Sequence, residues 1–300
     1  MRAITFSTYG GPEVLQLSDV PVPEPGPGQV RLAVRAVGVN PIDWKIRSGA
    51  MRQNSQIAFP HIPGLEVAGV VDAVGDGADF ALGDEVFGWS ETGAYAEYAL
   101  AKAVAPKPAN LSWPDAAALP VAGETALRVL GLLGIREGET LLIHGASGTV
   151  GRFAAQVAVA RGLTVIGTGG SRSLEDLKSL GVVPVLYGDG WLERVREAAP
   201  GPVDAVFDAA GRGALPGSVE LRGTKDRIVT IADGAAFELD IPFSSMGEQT
   251  REVLIEVAGW VTDRGVDIAH GRSYPLEEAA AAQAESEGGH PGGKLTIAVS

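Results

Sequence analysis

The segment GETLLIHGASGTVGRFAAQVAVARGLTVIGT, residues 138–168, constrains this chain more than any other. LLIH is a short buried-strand pattern, and Gly145, Gly148 and Gly151 follow it directly. An unbroken apolar helical run then covers about 149–160 and leads into a second apolar strand. Strand, glycine turn, helix and strand in that order predict one βαβ unit whose turn faces a phosphate. Each glycine has a physical reason: the turn must be tight, the backbone must approach a pyrophosphate with no Cβ between, and the helix must pack closely on the strand. Ala146 stands where the first glycine of the motif is usual, so the pattern is A-x-G-x-x-G.

The residues after the second strand indicate which dinucleotide such a turn would hold. A site for NAD places an Asp or Glu there to accept hydrogen bonds from the ribose 2′-hydroxyl, and that charge would repel a 2′-phosphate. Here the chain reads Thr168, Gly169, Gly170, Ser171, Arg172, Ser173, with no acid before Glu175. A guanidinium suits a phosphate and the serines add neutral donors, so the expectation is NADPH; the alternative is that Arg172 is a solvated loop charge.

The net charge of −13 over 300 residues makes nucleic acid or an anionic membrane a poor partner. The N-terminus alternates like a strand, without the core of a signal peptide, and a cytoplasmic protein acting on a small molecule is expected. The absence of cysteine excludes disulfides, thiol nucleophiles, iron–sulfur clusters and thiolate-bound zinc. His61, His144, His270 and His290 show no metal-ligand spacing, and no metal is expected.

Residues 1 to about 120 carry short alternating runs such as QVRLAVRAVGV and EVAGVVDAVG between glycine and proline turns, and predict a β-rich domain. Helices are expected from Ser112-Trp113-Pro114-Asp115 and again from about 123 to 133. Strands are predicted near 140–144, 163–168, 183–186, 203–207, 226–231 and 238–243, and a helix over 248–264. The closing KLTIAV reads as a strand that returns to the N-terminal sheet.

Nine segments in register, among them YGGPEVLQL, GVNPIDWKIRSG, PGLEVAGVV, AGETA, HGASGTVG and GGKLTIAV, resemble the zinc-independent quinone oxidoreductase branch of the medium-chain dehydrogenase/reductase superfamily. The resemblance implies an α/β protein with a GroES-like β-rich catalytic domain, residues 1–121 and 266–300, and a Rossmann doubly wound parallel-sheet domain, residues 122–265. Zinc-dependent relatives place Cys where Asn40 stands and His where Leu65 stands; of that set only Glu66 is kept. It further implies Asn40 beside the nicotinamide, Thr125 at the nicotinamide-side phosphate or ribose, and Ser147, Gly148, Thr149 and Val150 along the pyrophosphate. Ser171 and Arg172 would take the 2′-phosphate, with Lys178 and Tyr187 as added adenosine-side contacts, and Gly293 and Lys294 would lie near the cofactor. Relatives pair into homodimers through a sheet edge, here the strand at 238–243, although the connection 232–250 is shorter than usual.

Without a metal, thiol or flavin, the chemistry expected is direct hydride transfer to an acceptor that is already electrophilic, a quinone or an enone. Asn40 and Lys45 are candidate donors to the developing oxyanion, or Lys45 forms a structural ion pair with Asp43. Trp44, Trp89 and Tyr95 are candidate pocket walls. A tailoring enoyl reductase of a secondary-metabolite pathway, or a non-catalytic NADPH-binding redox sensor, would share the same cofactor residues.

Overall fold

The computed structural model describes residues 1–53, 56–289 and 292–300, so His290 lies outside the described residues. Two compact units emerge: Met1–Val121 with Gln249–Ala258 and Ile268–Ser300, and Ala122–Glu248 with Gly259–Asp267.

The first unit begins with an antiparallel pair, β1 (Arg2–Thr5) and β2 (Gln16–Asp19). Next come β3 (Val30–Gly38), helix α1 (Pro41–Arg47), β4 (Glu66–Val74), β5 (Glu85–Ser90) and β6 (Tyr98–Pro106). β3 pairs with β4, β4 with β5, β5 with β6, and β6 again with β3, all antiparallel. The ring closes because a strongly twisted sheet of valine-rich strands has one apolar face to hide, and closure removes the free edges. Val30, Leu32, Val34, Val67, Val71 and Val86 fill its interior.

Where two helices are expected after Ser112, there is one, α2 (Trp113–Leu133), with Pro120 inside it. Ser112 and Asp115 cap its start reciprocally, each accepting the other's N–H at 3.2 Å. Proline contributes no N–H to a helix, and the next one along, that of Val121, donates to Glu66 Oε2 at 2.8 Å. α2 is long and apolar enough to cross a bilayer, but 72% of its most apolar stretch is buried inside the protein.

The second unit continues with β7 (Thr140–His144), α3 (Thr149–Ala160), β8 (Thr164–Gly169), α4 (Leu174–Ser179), β9 (Val183–Leu186) and α5 (Trp191–Ala198). After them come β10 (Ala205–Asp208), α6 (Leu215–Arg222), β11 (Ile228–Thr230) and α7 (Ala236–Leu239). The five strands are parallel in the order β11-β10-β7-β8-β9, with β7 buried throughout. Strand order reverses between β7 and β10, which opens a crevice beyond their carboxyl ends.

The strand expected at 238–243 is not formed, so β11 is the edge strand on that side of the sheet. Asp240 adopts a left-handed conformation that ends α7, Pro242 has no N–H for a ladder, and this segment meets β11 through one bridge, Thr230 to Phe243.

The chain ends with α8 (Arg251–Thr262), β12 (His270–Pro275), α9 (Ala279–Gly288) and β13 (Lys294–Ala298). β13 does return to β3, antiparallel, with Thr296 opposite Gly38 and Ala298 opposite Ala36. Extended by two residues, that register sets Lys294 level with Asn40.

Candidate functional site

In the second unit, the turn between β7 and α3 is built as the glycine pattern implies. Gly145 has φ +77°, and a Cβ on it would lie 3.1 Å from Ala210 at the β7/β10 crevice. A Cβ on Gly151 would fall 2.2 Å from the Gly145 carbonyl oxygen, so α3 seats directly on the turn only because none is there. Gly148 is different: the one atom near its absent side chain is the Gly145 oxygen at 3.4 Å, which leaves the turn open on that side. Gly148 gives the helix no side-chain cap, so the first N–H groups of α3 remain for an anion. A pyrophosphate fits this cradle. Ala146 is buried in the turn, while Ser147, Thr149 and Val150 are half-buried around it. Thr168 was missed as a turn residue: its Oγ1 accepts Gly145 N–H at 3.1 Å and its carbonyl accepts Ala146 N–H at 3.0 Å.

Beyond β8, Ser171 and Arg172 are exposed, and Arg172 makes no ion pair within the described residues. Ser173 spends its hydroxyl on the Gly170 carbonyl. Tyr187 stands against Gly170, its ring 3.4 Å from where a Cβ would be, and Lys178 is exposed on α4. Asp176, an acid of this region, is engaged by Arg152. Of the two acids in the first turn of α4, Glu175 and Asp176, the second is thus already answered by a guanidinium. Thr125 is buried on α2; beside it Glu124 pairs with Arg128 at 2.8 Å, and Arg128 also reaches Ser244 of the shortened connection.

In the first unit, Asn40 is the centre of a buried polar group. It precedes α1, where Asp43 Oδ2 accepts its backbone N–H at 2.9 Å and its backbone carbonyl accepts the Asp43 N–H at 3.0 Å, which leaves the side-chain amide for other partners. That amide donates from Nδ2 to Glu66 Oε1 at 2.7 Å and accepts at Oδ1 from Lys294 Nζ at 2.7 Å. Lys294 also pairs directly with Glu66. Carboxylates only accept and ammonium groups only donate, so the orientation of the amide follows from its neighbours. Glu66 passes over Gly38, where a Cβ would meet its Oε1 at 2.0 Å and the Ala117 carbonyl at 2.7 Å. Any other residue at 38 would block the carboxylate.

Asp43 Oδ2 also accepts the Tyr95 hydroxyl at 3.0 Å. Burial pushes the Asp43 carboxyl up to about 7 against the opposing pull of the Asn40 N–H and the Lys294 charge, and burial beside Asp43 pushes the Tyr95 phenol up. One sequence expectation changes here. The Asp43–Lys45 ion pair is not formed, because residues two apart on a helix point to different sides; Lys45 Nζ instead lies 5.7 Å from the Trp44 ring centre. Trp89 and Tyr95 are buried, 3% and 0% exposed, whereas Trp44 is half-buried.

Ser218, His144 and Asp208 have the residue types of a hydrolytic triad. All three are buried, and Ser218 donates its proton to the Ala214 carbonyl while His144 Nε2 lies 3.1 Å from its oxygen. Burial lowers His144 to about 4, so it is neutral near pH 7 and braces β7 beneath the turn.

Comparison with known proteins agrees with both units. Residues 26–109 match the alcohol dehydrogenase GroES-like domain family and residues 149–255 the zinc-binding dehydrogenase family. The chain is 35% identical to a quinone oxidoreductase of Rattus norvegicus across 98% of its own length and 96% of the relative's. It is 32% identical to a chloroplast envelope quinone oxidoreductase homolog of Arabidopsis thaliana, covering 99% and 98%. Among solved structures, a quinone oxidoreductase of Coxiella burnetii superposes with a TM-score of 0.89 at 31% identity, over 100% and 99% of the two chains. An Escherichia coli quinone oxidoreductase complexed with NADPH gives 0.87 at 28%, over 99% and 100%.

Proposed function

This chain belongs to the quinone oxidoreductase branch of the medium-chain dehydrogenase/reductase superfamily, and on that premise we propose that it is an NADPH-dependent reductase of quinones or α,β-unsaturated carbonyl compounds. The observation that carries the reading is the Asn40–Glu66–Lys294 group. Where zinc-dependent relatives have thiolate and imidazole ligands, this chain offers an amide at 40 and a leucine at 65, and the Glu66 carboxylate is answered by an ammonium. Such a group supplies hydrogen bonds and charge to an oxygen, but not the Lewis acid that an unactivated ketone needs. An acceptor whose conjugation already spreads the incoming charge needs no more than that.

NADPH, when bound, supplies the hydride. The glycine turn holds its pyrophosphate, with Gly145, Gly148 and Gly151 leaving the backbone bare and α3 presenting its N-terminus. Ser171 and Arg172, supported by Lys178 and Tyr187, receive the 2′-phosphate. The absence of an acid at the end of β8 and the NADPH held by the Escherichia coli relative support this choice over NADH. Thr125 contributes to the ribose–phosphate side.

The test is steady oxidation of NADPH by a panel of quinones and enones, beside secondary alcohols and saturated ketones. The expected result is turnover with the conjugated acceptors alone, and deuterium from labelled NADPH on the β-carbon of an enone. Brisk reduction of a saturated ketone would show that the reaction is a different one, and tight NADPH binding without turnover of any acceptor would point to a sensor.

A further inference from the structure

We propose that Lys294 and Asn40 together form a two-donor site for the acceptor's oxygen, with Glu66 as the residue that positions both. The inference rests on the reductase reading and adds to it the group that stabilises charge.

The count of hydrogen-bond donors leads there. An ammonium has three N–H groups, and within the described residues Lys294 gives one to Asn40 Oδ1 and forms an ion pair with Glu66 Oε1. The Asn40 amide has two N–H groups and spends one on Glu66. One donor on each side chain is left over, on groups joined by a 2.7 Å hydrogen bond and exposed by only 4% and 5%. Neither side chain can swing away. Lys294 is held between two acceptors, and Asn40 cannot flip its amide without facing Nδ2 to the ammonium and Oδ1 to the carboxylate. Glu66 is itself pinned by the Val121 N–H and by the close passage over Gly38. Donors fixed in advance of the reaction, in a place of low water content, are the arrangement that best stabilises charge as it develops.

Lys45, the other lysine near Asn40 in sequence, lacks this placement. Its ammonium rests by the Trp44 ring and touches neither Asn40 nor Glu66.

For an enone the step balances as follows. A C–H bond forms at the β-carbon with the hydride's electron pair, the conjugated π electrons shift until the pair of the C=O bond rests on oxygen, NADPH is oxidised to NADP⁺, and a proton from water then completes the α-carbon. Lys294 and Asn40 hold the oxygen while it is negative, and neither changes its own protonation.

The experiment compares Lys294→Met with the double variant Lys294→Met/Glu66→Gln, because the single change strands a buried carboxylate and lowers stability while the double change does not. Turnover with a quinone is expected to fall by about a hundredfold or more in both. NADPH affinity, read by fluorescence, is expected to stay within about threefold, and the double variant to regain most of the lost melting temperature. A second readout needs no turnover: para-nitrophenol bound to the wild-type NADP⁺ complex is expected to ionise at a pH lower by about one unit than in water, by its phenolate absorbance, and to lose that shift in both variants.

Recovery of turnover in the double variant would show that Lys294 only neutralises Glu66, and would overturn the proposal. So would a loss of NADPH affinity in step with turnover, or para-nitrophenol that ionises on the wild type as it does in water. If the wild type shifts para-nitrophenol yet oxidises NADPH with no acceptor, the donor site stands and the reductase reading falls.

Discussion

At the scale of single residues, Arg172 is the side chain on which cofactor choice turns. It is exposed, free of ion pairs within the described residues, and two positions beyond the glycine that Tyr187 covers. Arg172→Ala should weaken NADPH by roughly tenfold to a hundredfold, the range of one lost charge-assisted phosphate contact, while leaving NADH unchanged; titration calorimetry with both cofactors checks it. An equal loss for both would mean that the guanidinium supports the loop. The lysines carry a different lesson. Lys45 stands five residues from Asn40 and was the natural candidate for an oxyanion donor, yet a helix turns it aside. Lys294, the one that reaches Asn40, is 254 positions away.

Among the elements, α3 shows how closely a helix can be bound to its turn. Gly151→Ala would place a methyl 2.2 Å from the Gly145 carbonyl oxygen, and that backbone atom cannot yield without opening the turn. Loss of about 1–3 kcal/mol of stability is expected, together with weaker NADPH binding. Gly148→Ala makes the contrast: its φ of −78° is open to any residue and a Cβ would meet one atom, the Gly145 oxygen at 3.4 Å, so denaturant midpoints should change little while NADPH affinity drops. The pair of variants separates packing from phosphate approach. The glycines were legible as a motif because all of their partners lie within one βαβ unit. Pro120 was not: a proline in an apolar run reads as the end of a helix, and here the run continues, with Glu66 of β4 accepting the Val121 N–H.

Across the whole molecule, two buried groups give the two units opposite responses to pH. In the first unit, burial pushes Asp43 up to about 7 from the ordinary 3.8, so between those limits the folded state binds more protons and stability falls as pH rises. In the second, His144 titrates at about 4 when folded against 6.5, the unfolded state binds more protons, and stability falls as pH drops from about 6.5 towards 4. Each shift corresponds to a few kcal/mol at most. The two windows overlap with opposite sign, so in the wild type they largely cancel. Urea unfolding across them should therefore show Asp43→Asn with stability that climbs as pH rises towards about 6.5, the His144 effect unopposed, and His144→Asn with stability that falls as pH rises towards about 7, the Asp43 effect unopposed. Unchanged profiles in both variants would place the pH dependence elsewhere.

The sequence alone determined the class of fold and the phosphate turn, because strand periodicity, helix periodicity and the glycine spacing are local properties, each decided by neighbours a few residues apart. It also identified Asn40, Glu66 and Lys294 one at a time, the first two in a segment pattern and the last in a closing strand. That these three form one group was decided by tertiary structure. The antiparallel register of β13 on β3 sets 294 level with 40, the register of β4 on β3 carries Glu66 across Gly38, and both registers are held by the burial of valines and isoleucines on the opposite face of the strands. Charge and hydrogen bonding then choose among the side chains so assembled, since a buried carboxylate persists only where an ammonium and an amide can reach it.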